Sequence, residues 1–193
     1  MTLYEFCIIA SGLDPQDDDF ESRFYDMGCD DATISFQRGR IILEFGREAL
    51  SLEDAIASAL DDIRRAGATP HRVEPDPLVS MSDIGARAGL TRAAISLYAK
   101  GERGENFPSP VARVTTDSPL WLWSEVAAWL AKSGKLPQAT VKEAQAIEAA
   151  NANLGGEPEW MPQPWVQTRS AELMGFAEAD QQQPFDAQAE PKR

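Results

Sequence analysis

The run Ser-Met-Ser-Asp-Ile-Gly-Ala-Arg-Ala-Gly-Leu-Thr-Arg-Ala-Ala-Ile-Ser-Leu-Tyr-Ala-Lys-Gly at residues 80–101 has to hold two short helices and a sharp turn. Ser80 caps the first helix, and Asp83 three residues on makes a variant of the capping box. Ala88-Gly89-Leu90 supplies the turn, because Gly89 enters the left-handed region without a Cβ clash; Thr91 then caps the second helix. Ile84, Ala88, Leu90 and Ile95 fall where two crossing helices bury side chains, and small Ala and Gly residues permit close approach.

The charge around this segment is uneven. The 193 residues carry 31 acidic and 18 basic side chains, a formal charge of −13. Taken as one body, that argues against nucleic acid, whose binding begins with Lys and Arg releasing counterions from phosphates. By segment the picture changes: residues 1–77 hold 17 acids and 7 bases, residues 78–135 hold 5 and 7, and residues 136–193 hold 9 and 4. The middle segment is the basic one, and Pro-containing stretches at His71–Pro77 and Lys135–Pro137 flank it. The expected organisation is an acidic domain at 1–77, a second domain at 78–135, a helix at 136–155 and an acidic tail at 156–193. With 43% apolar residues the chain can bury a core, and no segment approaches the roughly 20 uninterrupted apolar residues that cross a bilayer. Met1–Gly12 lacks a basic leader region, and Cys7 and Cys29 make no disulfide framework, so a cytoplasmic location is expected.

Residues 1–77 read as strand, helix, strand, strand, helix, strand. Leu3–Ala10 is apolar and β-compatible, with Cys7 expected to be buried among its bulky neighbours. Phe20, Phe24 and Met27 recur at helical spacing after Asp17-Asp18-Asp19. Thr33–Gln37 and Arg40–Phe45 form a hairpin about Arg38-Gly39. Ser51 caps a helix whose stripe is Leu52, Ile56, Ala59, Leu60 and Ile63, and Gly67 stops it. Ala68–Glu74 is the last strand. The order βαββαβ is that of a ferredoxin-like domain, giving an α+β chain. Its sheet and helix faces are candidates for dimerisation, ligand binding or partner binding.

A helix-turn-helix presents the start of its second helix to base edges in the major groove. Helical phase exposes Thr91, Arg92, Ala93, Ser96 and Lys100. Arg92 suits a bidentate contact to guanine, Ala93 and the Thr91 methyl suit thymine methyls, and Ser96 suits a base or phosphate. Tyr98, Lys100 and Arg103, with Arg87 on the first helix, are placed toward the backbone, and Arg113 further on joins the DNA-facing set. Phe107-Pro108-Ser109-Pro110-Val111 leads to Ala112–Thr115 and, after Asp117-Ser118-Pro119, to Leu120–Trp123: two short strands and a loop, as in a wing. Ser124 is expected to cap another helix on which Val126, Trp129 and Leu130 share a face. Trp121, Trp123 and Trp129 are read as core between wing and helix.

From about Val79 to Leu130 the chain resembles the compact winged helix-turn-helix of MerR, excisionase and AlpA-like prophage regulators. The matching residues are Ser82–Gly85, Ala88–Arg92, Ile95–Tyr98, Phe107–Pro110, Trp121 and Ser124–Leu130. The resemblance implies DNA binding and transcriptional control in a bacterial or phage setting. Ser96 stands where MerR activators commonly place a basic residue, and no long coiled coil follows, so simple occupancy of an operator, as by a repressor, is the expected mechanism. Seven basic side chains make few phosphate contacts, and a homodimer joining half-sites about 34 Å apart compensates. An antitoxin-like protein, neutralising a partner through the acidic domain or tail and regulating its own operon, is one alternative; a protein-binding adaptor without DNA contact is another.

Catalysis has no sequence support. There is no Walker loop, dinucleotide fingerprint, Gly-x-Ser-x-Gly or His-Glu-x-x-His. His71 stands alone as the single histidine, and Asp17–Asp19 and Asp30-Asp31 lack EF-hand spacing, so neither enzyme, metal nor cofactor is expected. A helix spans about Gln138–Leu154 with Val141, Ala144, Ile147, Ala150 and Leu154 along one seam. Beyond it, Pro, Gln, Glu and Ala with isolated Trp160, Trp165 and Phe176 read as disorder.

Overall fold

Alternation of apolar and polar side chains builds β1 (Thr2–Ser11), whose Phe6, Ile8 and Ala10 are buried. The computed structural model describes residues 1–154, and the tail expectation at 156–193 lies outside the described residues. After β1 come α1 (Phe20–Asp26), β2 (Ala32–Gln37), β3 (Arg40–Ala49), α2 (Leu52–Arg65) and β4 (Thr69–Glu74). The strands form one sheet in the order β2-β3-β1-β4, antiparallel at every join. Arg38 and Gly39 join β2 to β3 at φ 51° and 78°, the pair of left-handed residues that a type I′ hairpin turn requires. The register sets Ile34 opposite Leu43 and Phe36 opposite Ile41. Ser51 caps α2 by accepting from the Asp54 N–H at 3.1 Å. The stripe Leu52, Ile56, Ala59, Leu60 and Ile63 then packs with Phe20 and Phe24 of α1 onto the sheet.

β3 runs four residues past the expected end at Phe45. Arg47 has the inward parity of Ile41, Leu43 and Phe45 and is itself buried. Its guanidinium donates to both carboxylate oxygens of Asp31 at 2.8 and 2.9 Å, to Asp62 at 2.8 Å, to Ser58 at 3.0 Å and to the Gly28 carbonyl at 2.7 Å. All five N–H groups are thereby used. Burial opposes the charge, but the bonds to Asp31 and Asp62 outweigh it and hold the pKa above its ordinary value. Arg65 adds a further bond to Asp62. Cys7, of the opposite parity, is only half-buried, which corrects the expectation of a buried thiol.

A second apolar cluster forms from β5 (Leu78–Val79), α3 (Met81–Ala88), α4 (Arg92–Ala99), β6 (Trp121–Leu122), α5 (Trp123–Lys132) and part of α6 (Gln138–Asn153). β5 pairs with β6. The expected pair of wing strands is reduced to one bridge between Ala112 and Leu120. Arg113 turns out of the extended region at φ 51°, and its carbonyl accepts from the Thr116 N–H at 3.0 Å, so a ladder cannot continue. α5 starts one residue before Ser124, which is buried in its first turn and is not the cap. Trp121 and Trp123 are buried as expected, whereas Trp129 is partly exposed.

α6 joins the two clusters. Val141 and Ala144 lie in the second, while Ala146 and Ile147 lie in the first with Ala150 and Leu154 packed against it. Asn151 bridges α6 to β4: its amide donates to the Val73 carbonyl at 2.9 Å, and its oxygen accepts from the Val73 N–H at 3.0 Å. The result is a mixed α+β structure, and among the described residues no helix is long and apolar enough to cross a membrane.

Candidate nucleic-acid interface

α3 and α4 meet because the sequence gives them short side chains where they cross. A Cβ on Gly85 would stand 2.7 Å from the Leu90 carbonyl oxygen, and that carbon is absent. The Leu90 N–H donates to the Gly85 carbonyl at 2.8 Å, and Gly89 takes the left-handed conformation at φ 64°. Ser80 and Asp83 complete a reciprocal capping box, Ser80 Oγ and N–H both bonding to Asp83 Oδ2 at 2.6 and 2.8 Å. These bonds from Ser80 hold the Asp83 carboxyl below its ordinary pKa of 3.8. Thr91 caps α4 by accepting from the Ala94 N–H at 3.2 Å. Both helices are thus fixed at their starts and at the corner between them.

α4 buries Ile95 and Tyr98 and turns the rest outward. Thr91, Arg92, Ala93 and Lys100 are exposed, and Ser96 is half-exposed. At positions 92, 93, 96 and 100 they line one side of the helix. Leu97, 38% exposed, completes the stripe; sequence reading passed over it as an apolar residue, although its phase beside Ala93 and Ser96 is the signal. Gly101 at φ 71° ends the helix, and the Glu102 and Arg103 N–H groups return to the Leu97 carbonyl at 3.0 and 3.2 Å.

Of the residues assigned to the DNA face, Tyr98 is buried and Arg87 is half-buried. Tyr98 is 3% exposed. Its ring lies 5.0 Å from Trp129 and 6.1 Å from Phe107, so it belongs to the aromatic core under α4. Arg87 is half-buried; it donates to the Asp76 carbonyl at 2.9 Å and lies 5.3 Å over the Trp123 ring. Its other terminal nitrogen is buried with no partner among the described residues, and burial lowers its pKa. Arg87 thus ties α3 to α5 through the Trp123 ring. Arg103 and Lys135 lie over the Tyr98 ring, 5.4 and 5.9 Å from its centroid, with Arg103 exposed just past the end of α4. Arg113 is exposed at the start of the 113–119 loop.

The segment 104–110 is shaped by the tryptophans beneath it. The indole N–H of Trp129 donates to the Glu105 carbonyl at 2.8 Å, and that of Trp121 to the Pro108 carbonyl at 3.0 Å. Gly104 at φ 73° lies so close to Trp129 that a Cβ would stand 3.0 Å from the ring. The aromatic cluster therefore holds a loop and is not itself a stacking surface.

Charge pairing separates the two layers. In the sheet layer Arg23, Arg47, Arg64, Arg65 and Arg72 each pair with carboxylates. Among the described residues, no ion pair joins Arg87, Arg92, Lys100, Arg103, Arg113, Lys132 or Lys135 to a carboxylate. Cations left unpaired keep their field available to an incoming polyanion.

The remaining polar groups do not converge. Burial, then Glu74 and Glu44, push the Cys7 thiol up to about 11. Burial and Asp62 push Cys29 up to about 11 as well, so both stay protonated at neutral pH. His71 Nε2 lies 2.7 Å from Ser11 Oγ. Among the described residues no group of three or more His, Cys, Asp or Glu is arranged to hold a metal. A hollow of about 330 Å³ between α2 and α6 is lined by Ile56, Leu60, Ala146 and Ala150. The chain matches no protein-family model, no curated protein and no solved structure.

Proposed function

We propose that the chain is a sequence-specific DNA-binding regulator, not an enzyme, that acts as a homodimer by occupying an operator. The observation that carries this reading is the exposed stripe of α4, which carries Arg92 and Lys100 without carboxylate partners among the described residues and is followed by exposed Arg103, on a corner fixed by Gly85 and Gly89. The resemblance to the MerR, excisionase and AlpA-like regulators supports it, with the 113–119 loop in the place of a wing. The strand order β2-β3-β1-β4 supports a ferredoxin-like reading of residues 1–77.

In this reading the start of α4 enters the major groove. Arg92 contacts guanine by two hydrogen bonds, and Ala93, Leu97 and the Thr91 methyl meet thymine methyls; Ser96 bonds to a base or phosphate. Lys100, Arg103 and Arg113 take phosphates on either side. Arg87 and Tyr98 support the helices from behind. The acidic layer, with 17 acids to 7 bases, is repelled by the duplex and turns the basic face toward it.

A mobility-shift assay with the DNA upstream of the protein's own gene tests this. Arg92→Ala is expected to cost about 1–3 kcal/mol and to relax sequence preference, whereas Lys100→Ala weakens all sequences alike and lowers the salt slope by about 1. Parent-like binding by both variants refutes the assignment of α4. Binding by the parent with a basic protein partner co-purifying favours the antitoxin-like alternative, and no binding by the parent favours the adaptor.

A further inference from the structure

The sheet has two edges, and they are built differently. β4 carries Pro70, a register shift opposite Ile9 and Ala10, and charged Arg72 and Glu74. The Asn151 amide occupies both backbone groups of Val73. Proline, bulges, charge and a covering helix are the devices by which edges are kept from pairing. β2, at the other edge, reads Ala-Thr-Ile-Ser-Phe-Gln and among the described residues has none of them.

The phase of β2 follows from one bond. The Gly46 N–H donates to the Asp31 carbonyl at 3.0 Å, and bonded pairs alternate along an antiparallel ladder. Thr33, Ser35 and Gln37 therefore bond inward to β3, and Ile34 and Phe36 direct both N–H and C=O outward. The Ala32 N–H is already donated to the Cys29 carbonyl at 3.1 Å. Phe36 is 44% exposed, and Ile34 is half-buried at the rim of the core.

We infer that β2 is the docking edge for a second copy of this chain, paired antiparallel about a two-fold axis through Ser35. In that register Ile34 of each copy stands opposite Phe36 of the other. The pairs exchange four backbone hydrogen bonds, all from groups directed outward, and each Phe36 covers the other copy's Ile34. Charge selects this occupant. The strand is preceded by Asp30 and by Asp31, which is held by Arg47, and followed by Arg38; Asp30 and Arg38 are exposed. Antiparallel pairing brings the Asp30 turn at the start of each strand toward the Arg38 turn at the end of the other, and parallel pairing would set like against like. Two acidic domains that repel elsewhere thus have one uncharged strand with self-complementary ends. This specifies the homodimer of the proposed function and does not depend on DNA contact.

The test is the mass of the full chain by light scattering at micromolar concentration, with mobility shift run separately. The parent is expected at two chains of 21.2 kDa. Phe36→Lys should give one chain with an unchanged circular dichroism spectrum. Arg38→Asp should weaken self-association roughly tenfold at low salt, since an attractive pair becomes repulsive at both symmetric positions. Asp30→Lys combined with Arg38→Asp should restore it, a rescue that misfolding cannot imitate. A monomeric parent, a dimeric Phe36→Lys or absent rescue overturns the inference. A dimer that fails to shift DNA leaves the inference standing and refutes the DNA reading.

Discussion

Replacing Arg47 with Met keeps most of the aliphatic stem and removes every bond that the guanidinium makes. Five acceptors then lose their donor: both oxygens of Asp31, one of Asp62, Ser58 Oγ and the Gly28 carbonyl. Breaking a buried ion pair costs about 3–5 kcal/mol because it leaves an uncompensated charge. Asp62, whose side chain is 12% exposed, keeps Arg65, and Asp31 at 29% can recruit water. The loss therefore belongs at the lower end, about 3 kcal/mol, or about 6–12 °C in melting temperature for a unit of this size. Urea unfolding followed by circular dichroism measures it. Asp31→Asn in the Arg47→Met background should return part of the loss, because the stranded carboxylate is then gone. A variant within about 1 kcal/mol of the parent would mean that the network behaves like a surface ion pair, and the account of why β3 continues past Phe45 would fall.

Two further outcomes follow from the corner and its caps. Gly85→Ala places a Cβ 2.7 Å from the Leu90 carbonyl oxygen and should destabilise the protein by about 1–3 kcal/mol through overpacking, read by the same urea titration. Asp83→Asn should lower stability at pH 7. Because the folded carboxyl lies below its ordinary 3.8, its contribution is complete above that value and lost as pH falls through the folded pKa. The gap between parent and variant should therefore close in acid; a gap that widens there would reverse the sign of the argument.

What the sequence made legible was whatever has a local cause. Ser51 and Gly67 bracket α2, Arg38-Gly39 makes the hairpin turn, and Ser80, Gly89 and Thr91 mark α3 and α4. The misses have non-local causes. Arg47 looks like a loop residue until Asp62, fifteen positions on, meets it across the core. β5 is two residues long and exists only because β6, more than forty residues later, pairs with it. Arg87 was read from charge alone, without the Trp123 ring that holds it. Tyr98 and Cys7 were misplaced for a different reason. Tyr98 lies three residues from Ile95 on the buried face of α4, and Cys7 has the outward parity between Phe6 and Ile8, so periodicity had already placed both.

The Asn151 bridge sets the valency of the sheet. Its amide presents to Val73 one donor and one acceptor, as a neighbouring strand would, and so stands in for the strand that would otherwise be added there. A sheet with two open edges is a monomer for a fibre, because each addition exposes a new edge. With β4 stoppered from within the chain, β2 is the one edge of this sheet left open among the described residues, and pairing through it as proposed would end growth at two. In the proposed dimer, one asparagine on α6 would thereby separate an assembly that closes from one that propagates.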